Sequence, residues 1–257
     1  MRGFSETELA SFGRDGYVLV PGLATPAVTR ELEAITDSLL AAPVPPLEFE
    51  ADTGYPGAPA SRGEQGGATP RRFLGALDRE PALRAWAASP AVTSRLQQVL
   101  GADLRVTRAH HNCIMVKDPR FSSDTGWHQD IRYWRFNRPE LVTALLALTP
   151  ANEHNGGLRF LPGSHLLSLD EGDFDEHKFF RPSSSAGRAL LEREVTVEMQ
   201  PGDVVFFHCL TLHAGPRNRD GLQRKSVLFT YHGGDVRPVP GTRSAAQPEW
   251  QLHDPGV

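Results

Sequence analysis

The chain has little cysteine: Cys113 and Cys209 are the only two in 257 residues, and neither sits in a C-x-x-C pair. That excludes a disulfide framework and a cysteine-built zinc or redox site, and it leads us to expect reduced thiols in a cytoplasmic protein. Long apolar runs are missing too. No window approaches ~18 apolar residues, so no membrane-spanning helix is expected. The opening "MRGFSETELASFGRDG" lacks the apolar stretch of a signal peptide. There is no block of like charge, and the net charge is −4, so no nucleic-acid footprint is expected. An HExxH zinc-hydrolase motif, an EF-hand calcium loop and internal repeats are likewise absent. What is left is an ordinary globular composition, long enough for one large domain or two small ones.

Two textures divide the chain. Up to about residue 102 it reads as helix and loop. "SETELASFGRDG" carries a capping-box pattern, Ser5 with Glu8, and stops at Gly16. "YVLVPG" reads as a short strand. "TPAVTRELEAITDSLLAA" has Thr25 as N-cap and Pro26 in the first helical position, and two further short helices are expected around a break near Pro90. Between them, residues 42–72 are dense in proline, glycine and polar residues without a period, the pattern of a long loop that acts as a lid or binding loop or is disordered.

From about residue 103 to 235 the texture is β. Candidate strands are "LRVTRAHHNCIMVK", "GWHQDIRYW", "LVTALLALTP", "LRFLPGS", "REVTVEMQ", "DVVFFHCLTLHAG" and "KSVLFTYHGG", separated by turn residues. Short strands at near-regular spacing without intervening helices point to a sandwich or a barrel-like jelly roll. We therefore expect a single domain over residues 1–257, mainly β with flanking helices, and a C-terminal tail.

Within the β region, "TGWHQDIRYW" places His128 two residues before Asp130. On a strand, i and i+2 share a face, so imidazole and carboxylate would project together as a chelating pair. H-x-D alone fits equally a half-exposed strand. A third ligand has to come from another strand. Of ten histidines, 154, 177 and 253 lie in loop or tail sequence, 165 follows a turn, and 110 and 111 are consecutive, so only one of that pair would face inward. His208 and His213 end the apolar run "DVVFFHCLTLHAG". His213 opens onto a polar loop, where a strand-end ligand can reach a cavity. Two histidines and a carboxylate occupy one face of an octahedral ion and suit non-haem Fe(II). A cupin-type protein with another metal stays open at this point, although its extra histidine and glutamate ligands are not seen at suitable spacing.

With those residues in hand, the sequence resembles the phytanoyl-CoA dioxygenase family of Fe(II)/2-oxoglutarate oxygenases. The resemblance is carried by "WHQDIRYWRFNRPE", "NEHNGGLRFLPGSH" and "PGDVVFFHCLTLHAGPRNRDGLQRKSVLFTY", over roughly residues 103–235. It implies a double-stranded β-helix (jelly-roll, cupin-like) core. It implies that His128, Asp130 and His213 bind Fe(II), and that Arg224, eleven positions after His213, pairs with the distal carboxylate of 2-oxoglutarate. An always-charged planar guanidinium suits that carboxylate. Ser226, two residues on, would add a hydrogen bond.

Trp134 and Arg132 reach the ligand face by strand parity and are expected to meet substrate; core packing for Trp134 and an exposed strand end for Arg132 are the other readings. Gln129 should face away. The implied chemistry consumes O₂ and 2-oxoglutarate, releases succinate and CO₂, and most often hydroxylates a small molecule. Desaturation, epimerisation and cyclisation use the same oxidant, and a non-catalytic 2-oxoglutarate or metal-binding module would keep the fold. Asp130 speaks against halogenation. Residues 42–72 and 168–188 are expected to cover the pocket.

Overall fold

A computed structural model describes residues 3–182 and 185–252. His253 and residues 183–184 of the expected second cover loop lie outside that set. The strands, in chain order, are β1 (Tyr17–Val20), β2 (Leu47–Phe49), β3 (Pro70–Leu74), β4 (Leu104–Val106), β5 (Asn112–Lys117), β6 (Thr125–His128), β7 (Leu141–Ala147), β8 (Arg159–Phe160), β9 (Val195–Thr196), β10 (Val204–His208), β11 (His213–Gly215), β12 (Arg224–Gly233) and β13 (Trp250–Gln251). The helices are α1 (Glu6–Asp15), α2 (Pro26–Ala41), α3 (Pro81–Ala87), α4 (Pro90–Leu100) and α5 (Ser185–Leu191).

The helix ends follow local chemistry. The Ser5 hydroxyl accepts from the Glu8 N–H, and the Glu8 carboxylate accepts from the Ser5 N–H, which satisfies two donors that the first turn leaves open. Gly16 then closes α1 at φ 81°, a left-handed turn that costs glycine nothing. Thr25 caps α2 with its hydroxyl alone, which accepts from the Val28 N–H, and Pro26 stands in the first turn.

Two antiparallel sheets form the jelly roll. The larger runs β1-β10-β7-β12-β5-β3-β2, with β4 joined to β12 and β13 joined to β4; the smaller runs β6-β11-β8-β9. Alternation along β10 explains how the larger sheet is filled on both faces. Val204 and Phe206 point to one side, among Leu32, Leu83 and Leu96 of α2, α3 and α4. Val205 and Phe207 point to the other, with Leu145, Leu228 and, from the smaller sheet, Phe160. A strand buried on both faces reads as a continuous apolar run, which is the texture of "VVFF" and "VLFTY".

Three expectations need correction. The region before residue 103 holds more strand than the one expected at "YVLVPG" (β1), since β2 and β3 also extend the larger sheet. The 42–72 segment is not aperiodic loop throughout: it contains β2, a 3-10 turn at Glu50–Asp52 and the start of β3. It is anchored by Glu50, which is fully buried and accepts from the backbone and hydroxyl of Ser123 while facing the Arg71 guanidinium at 3.3 Å. The stretch expected as a strand from 104 to 117 is two strands, with a turn at 107–111 between them.

Candidate metal centre

The smaller sheet and the 3-10 turn that follows β6 bring His128, Asp130 and His213 together at the wall of a cavity of about 780 Å³. One ligand atom from each lies within 4.8 Å of the others. His128 ends β6 and His213 begins β11, and the two are direct register partners. Asp130 arrives differently from the way strand parity predicts. β6 stops at His128, and Asp130 opens a 3-10 turn, Asp130–Tyr133. The turn swings its carboxylate back, and Oδ1 stands 3.8 Å from Nε2 of both histidines.

Each histidine is fixed through its other nitrogen. Nδ1 of His128 faces the Gly126 carbonyl at 2.9 Å, and Nδ1 of His213 faces the Thr211 carbonyl at 3.0 Å. A carbonyl can only accept, so both rings carry the proton on Nδ1 and turn the Nε2 lone pair inward, as a metal ligand requires. Burial holds both imidazoles neutral: His128 lies well below its usual range and His213 falls to about 4. The rings pack on Phe207, Phe160 and Phe179.

Burial pushes the Asp130 carboxyl the other way, up to about 8. Its Oδ2 is buried with no hydrogen-bond partner among the described residues. A buried carboxylate beside two neutral, inward-facing imidazoles is a donor set that fits a divalent cation. An ion must displace the proton from Asp130. Fe(II) affinity should therefore rise about tenfold per pH unit up to about pH 8 and level off above it, because one proton leaves for each ion bound. Anaerobic competition titrations at several pH values measure this; a flat profile from pH 6 to 7.5 would contradict it.

Arg224, the first residue of β12, lines the same cavity. Its guanidinium is buried, donates to the Gly156 carbonyl and approaches Met115 Sδ at 3.7 Å. Nε has no partner, and no carboxylate of the described residues pairs with it. Burial lowers it to about 10, so it is still cationic at neutral pH. Ser226 follows on the same strand face, buried, with its hydroxyl unpartnered. A buried cation on the cavity wall fits an incoming carboxylate, whereas Ser226 is not among the lining residues.

The motifs around the site acquire physical reasons. Gly156 adopts φ +86°, and a Cβ there would stand 2.6 Å from the Pro216 carbonyl, so "NGG" is the turn that lets a carbonyl reach Arg224. Ser164 of "PGSH" accepts from the Leu212 N–H at 2.8 Å and so steadies the approach to His213. Lys117 has no sequence signature, yet its buried ammonium donates to the carbonyls of Ser123, Gly215 and Pro216. It ties the segments carrying both histidines to β5.

The other expected contacts divide. Trp134 lines the cavity, buried between His110 and His111 at centroid distances of 5.2 and 5.1 Å. Arg132 is not among the lining residues. It lies in the 3-10 turn, bonded to Gln129 and the Leu169 carbonyl and stacked on Phe174 at 4.2 Å, so the parity argument fails where the strand ends. Gln129 is turned from the cluster and donates to the Leu210 carbonyl. His110 and His111 both line the cavity, contrary to expectation, because they sit in a turn, with His111 at φ 35°. Tyr55, from residues 42–72, packs on Phe179, from residues 168–188, at 4.9 Å; the two segments meet beside His128.

Residues 12–226 match the family described as Phytanoyl-CoA dioxygenase (PhyH). An ectoine dioxygenase of Halomonas elongata is 30% identical over 179 residues, 63% of this chain and 53% of that protein. The ectoine dioxygenase of Bordetella parapertussis is 27% identical over 244 residues, 89% of this chain and 75% of that one. This chain thus spans about half the length of the first relative and three quarters of the second. Among solved structures, the non-haem alpha ketoglutarate dependent epimerase SnoN from nogalamycin biosynthesis superposes with a TM-score of 0.73 at 25% identity, covering 92% of this chain and 86% of that one. With a match that runs from α1 into β12 across both sheets, the chain belongs to the phytanoyl-CoA dioxygenase family.

Proposed function

We propose that this protein is an Fe(II)- and 2-oxoglutarate-dependent oxygenase that hydroxylates a small molecule. The observation that carries the reading is a pairing within one cavity. A cluster of two neutral imidazoles and a carboxylate shares it with Arg224, a buried guanidinium paired with no carboxylate among the described residues. When bound, Fe(II), 2-oxoglutarate and O₂ together supply the oxidation of a C–H bond, with release of succinate and CO₂.

The chain's own residues bind and orient. His128, Asp130 and His213 hold the metal. Arg224, with Ser226, takes the distal carboxylate of 2-oxoglutarate and fixes its orientation toward the cluster. Phe160, Phe207 and Phe179 pack on the imidazoles. Trp134 walls the substrate side. The cavity is within the usual range for small ligands, about 300–1,000 Å³. No helix among the described residues is long and apolar enough to cross a membrane. Both thiols are buried and free, which accords with work in the cytoplasm.

Similarity to SnoN favours a second outcome at the same site, epimerisation, in which the oxidant is unchanged and the placement of the substrate carbon differs. Succinate release tests the shared first half. With Fe(II), 2-oxoglutarate and O₂ the protein should form succinate slowly without substrate and faster with a true one. No succinate over a broad range of small molecules, with activity instead restored by Zn(II) or Mn(II), would overturn the reading.

A further inference from the structure

Asp130 presents its two oxygens to different neighbours. Oδ1 stands 3.8 Å from Nε2 of both His128 and His213. Oδ2 turns away from that pair and faces Nδ1 of His111 at 3.4 Å. It is buried without a hydrogen-bond partner among the described residues, and its carboxylate is only 2% exposed. A carboxylate oxygen in that position calls for a donor.

His111 is held where a donor is needed, and its backbone bears a cost for it. Its φ is 35°, a positive value that is uncommon for any residue bearing a Cβ, although histidine, like asparagine and aspartate, adopts it more readily than most. Strain of this kind persists only where the surroundings enforce it. Here they do: the ring stands edge-on to Trp134 at 5.1 Å and 88°, and Nδ1 lies 3.5 Å from the Thr143 hydroxyl. That hydroxyl is 2.7 Å from Thr230 Oγ1, so two adjacent central strands, β7 and β12, brace the imidazole. A regular strand through residues 110 and 111 would have turned one of the two rings away from the cavity.

We propose that His111 is a positioning residue for the metal centre: its Nδ1–H engages Oδ2 of Asp130 and so commits Oδ1 to the cluster. The inference rests on the proposed metal site and adds to it a residue outside the three ligands. It also accounts for the strained turn, which a ring packed only for bulk would not need.

The test compares three variants by Fe(II) affinity in anaerobic competition titrations, with the apoprotein's thermal midpoint as the check on folding. His111→Ala removes the donor and keeps the strain. His111→Gly removes both, since glycine is at ease at positive φ. His111→Asn tolerates the left-handed backbone and offers an amide N–H near the place of Nδ1–H. Loss of a partner that orients a metal ligand typically costs about 10- to 100-fold in affinity, and that is the loss expected for the alanine and glycine variants. The asparagine variant should recover most of it.

Should the alanine variant fail to fold, the glycine and asparagine variants carry the comparison. Wild-type affinity in the glycine variant, or an asparagine variant as weak as the glycine one, would overturn the proposal while leaving the metal site standing. A wild-type protein that takes up no divalent ion would remove the metal site and this proposal together.

Discussion

Replacing His213 with alanine should abolish Fe(II) retention and succinate formation while leaving the fold intact. The residue supplies an inward Nε2 on the strand paired with His128, and no other described side chain joins the cluster of three. Losing an outer-shell partner already costs about 10- to 100-fold in affinity, so loss of a ligand should cost about 10³-fold or more. The fold should survive because the strand pairings of β11 with β6 and β8 are made by backbone, and a neutral imidazole leaves no stranded charge behind. Metal content after gel filtration, with circular dichroism beside it, checks both parts. A His213→Ala protein with wild-type iron content would mean that another group holds the ion.

The second large effect is expected at Arg224. If its guanidinium pairs with the distal carboxylate of 2-oxoglutarate, truncation leaves that carboxylate desolvated and alone, at a cost of about 3–5 kcal/mol. Since each 1.4 kcal/mol is about tenfold, Arg224→Ala should weaken 2-oxoglutarate binding by about 10²- to 10³-fold. Iron binding should be unchanged, because no ligand is touched. Arg224→Lys should recover only part, because an ammonium keeps the charge and loses the planar fork that both faces the carboxylate and donates to Gly156. Anaerobic absorbance titration of the Fe(II)-loaded protein measures the affinity directly. Unchanged affinity in Arg224→Ala would place the partner elsewhere. Arg219 of the same loop would then be a better candidate than Arg217, which is already paired with Asp124 at 3.2 Å.

That His128, Asp130 and His213 would gather in one cluster was legible because ligand chemistry is written in residue type and order: H-x-D, then a histidine where an apolar strand opens into a polar loop. The path by which they meet was not. Parity along an assumed strand from 126 to 134 led to Asp130 and also to Arg132, and only the first lines the cavity. The strand ends at His128, and a 3-10 turn decides where the later side chains go.

Long-range polar contacts were equally hidden. Glu50 meets Ser123 across 73 positions, and Lys117 reaches Gly215 across 98. No local period marks a buried charge whose partners lie on other strands. Positive φ at His111 is a tertiary effect as well, imposed by Trp134 and Thr143 from outside its own turn. Helix caps were read correctly for the opposite reason, since Ser5 with Glu8, or Thr25 with Val28, settle the matter within three residues.

The central claim is that one cavity holds Fe(II) on His128, Asp130 and His213 and turns the distal carboxylate of 2-oxoglutarate toward Arg224. The most direct measurement is a crystal structure of the protein grown without oxygen in the presence of Fe(II) and 2-oxoglutarate. The account expects metal density bounded by Nε2 of His128, Oδ1 of Asp130 and Nε2 of His213, and a carboxylate within hydrogen-bond distance of Arg224, with Ser226 beside it. Metal bound at other side chains, or 2-oxoglutarate seated with no carboxylate near Arg224, would contradict it.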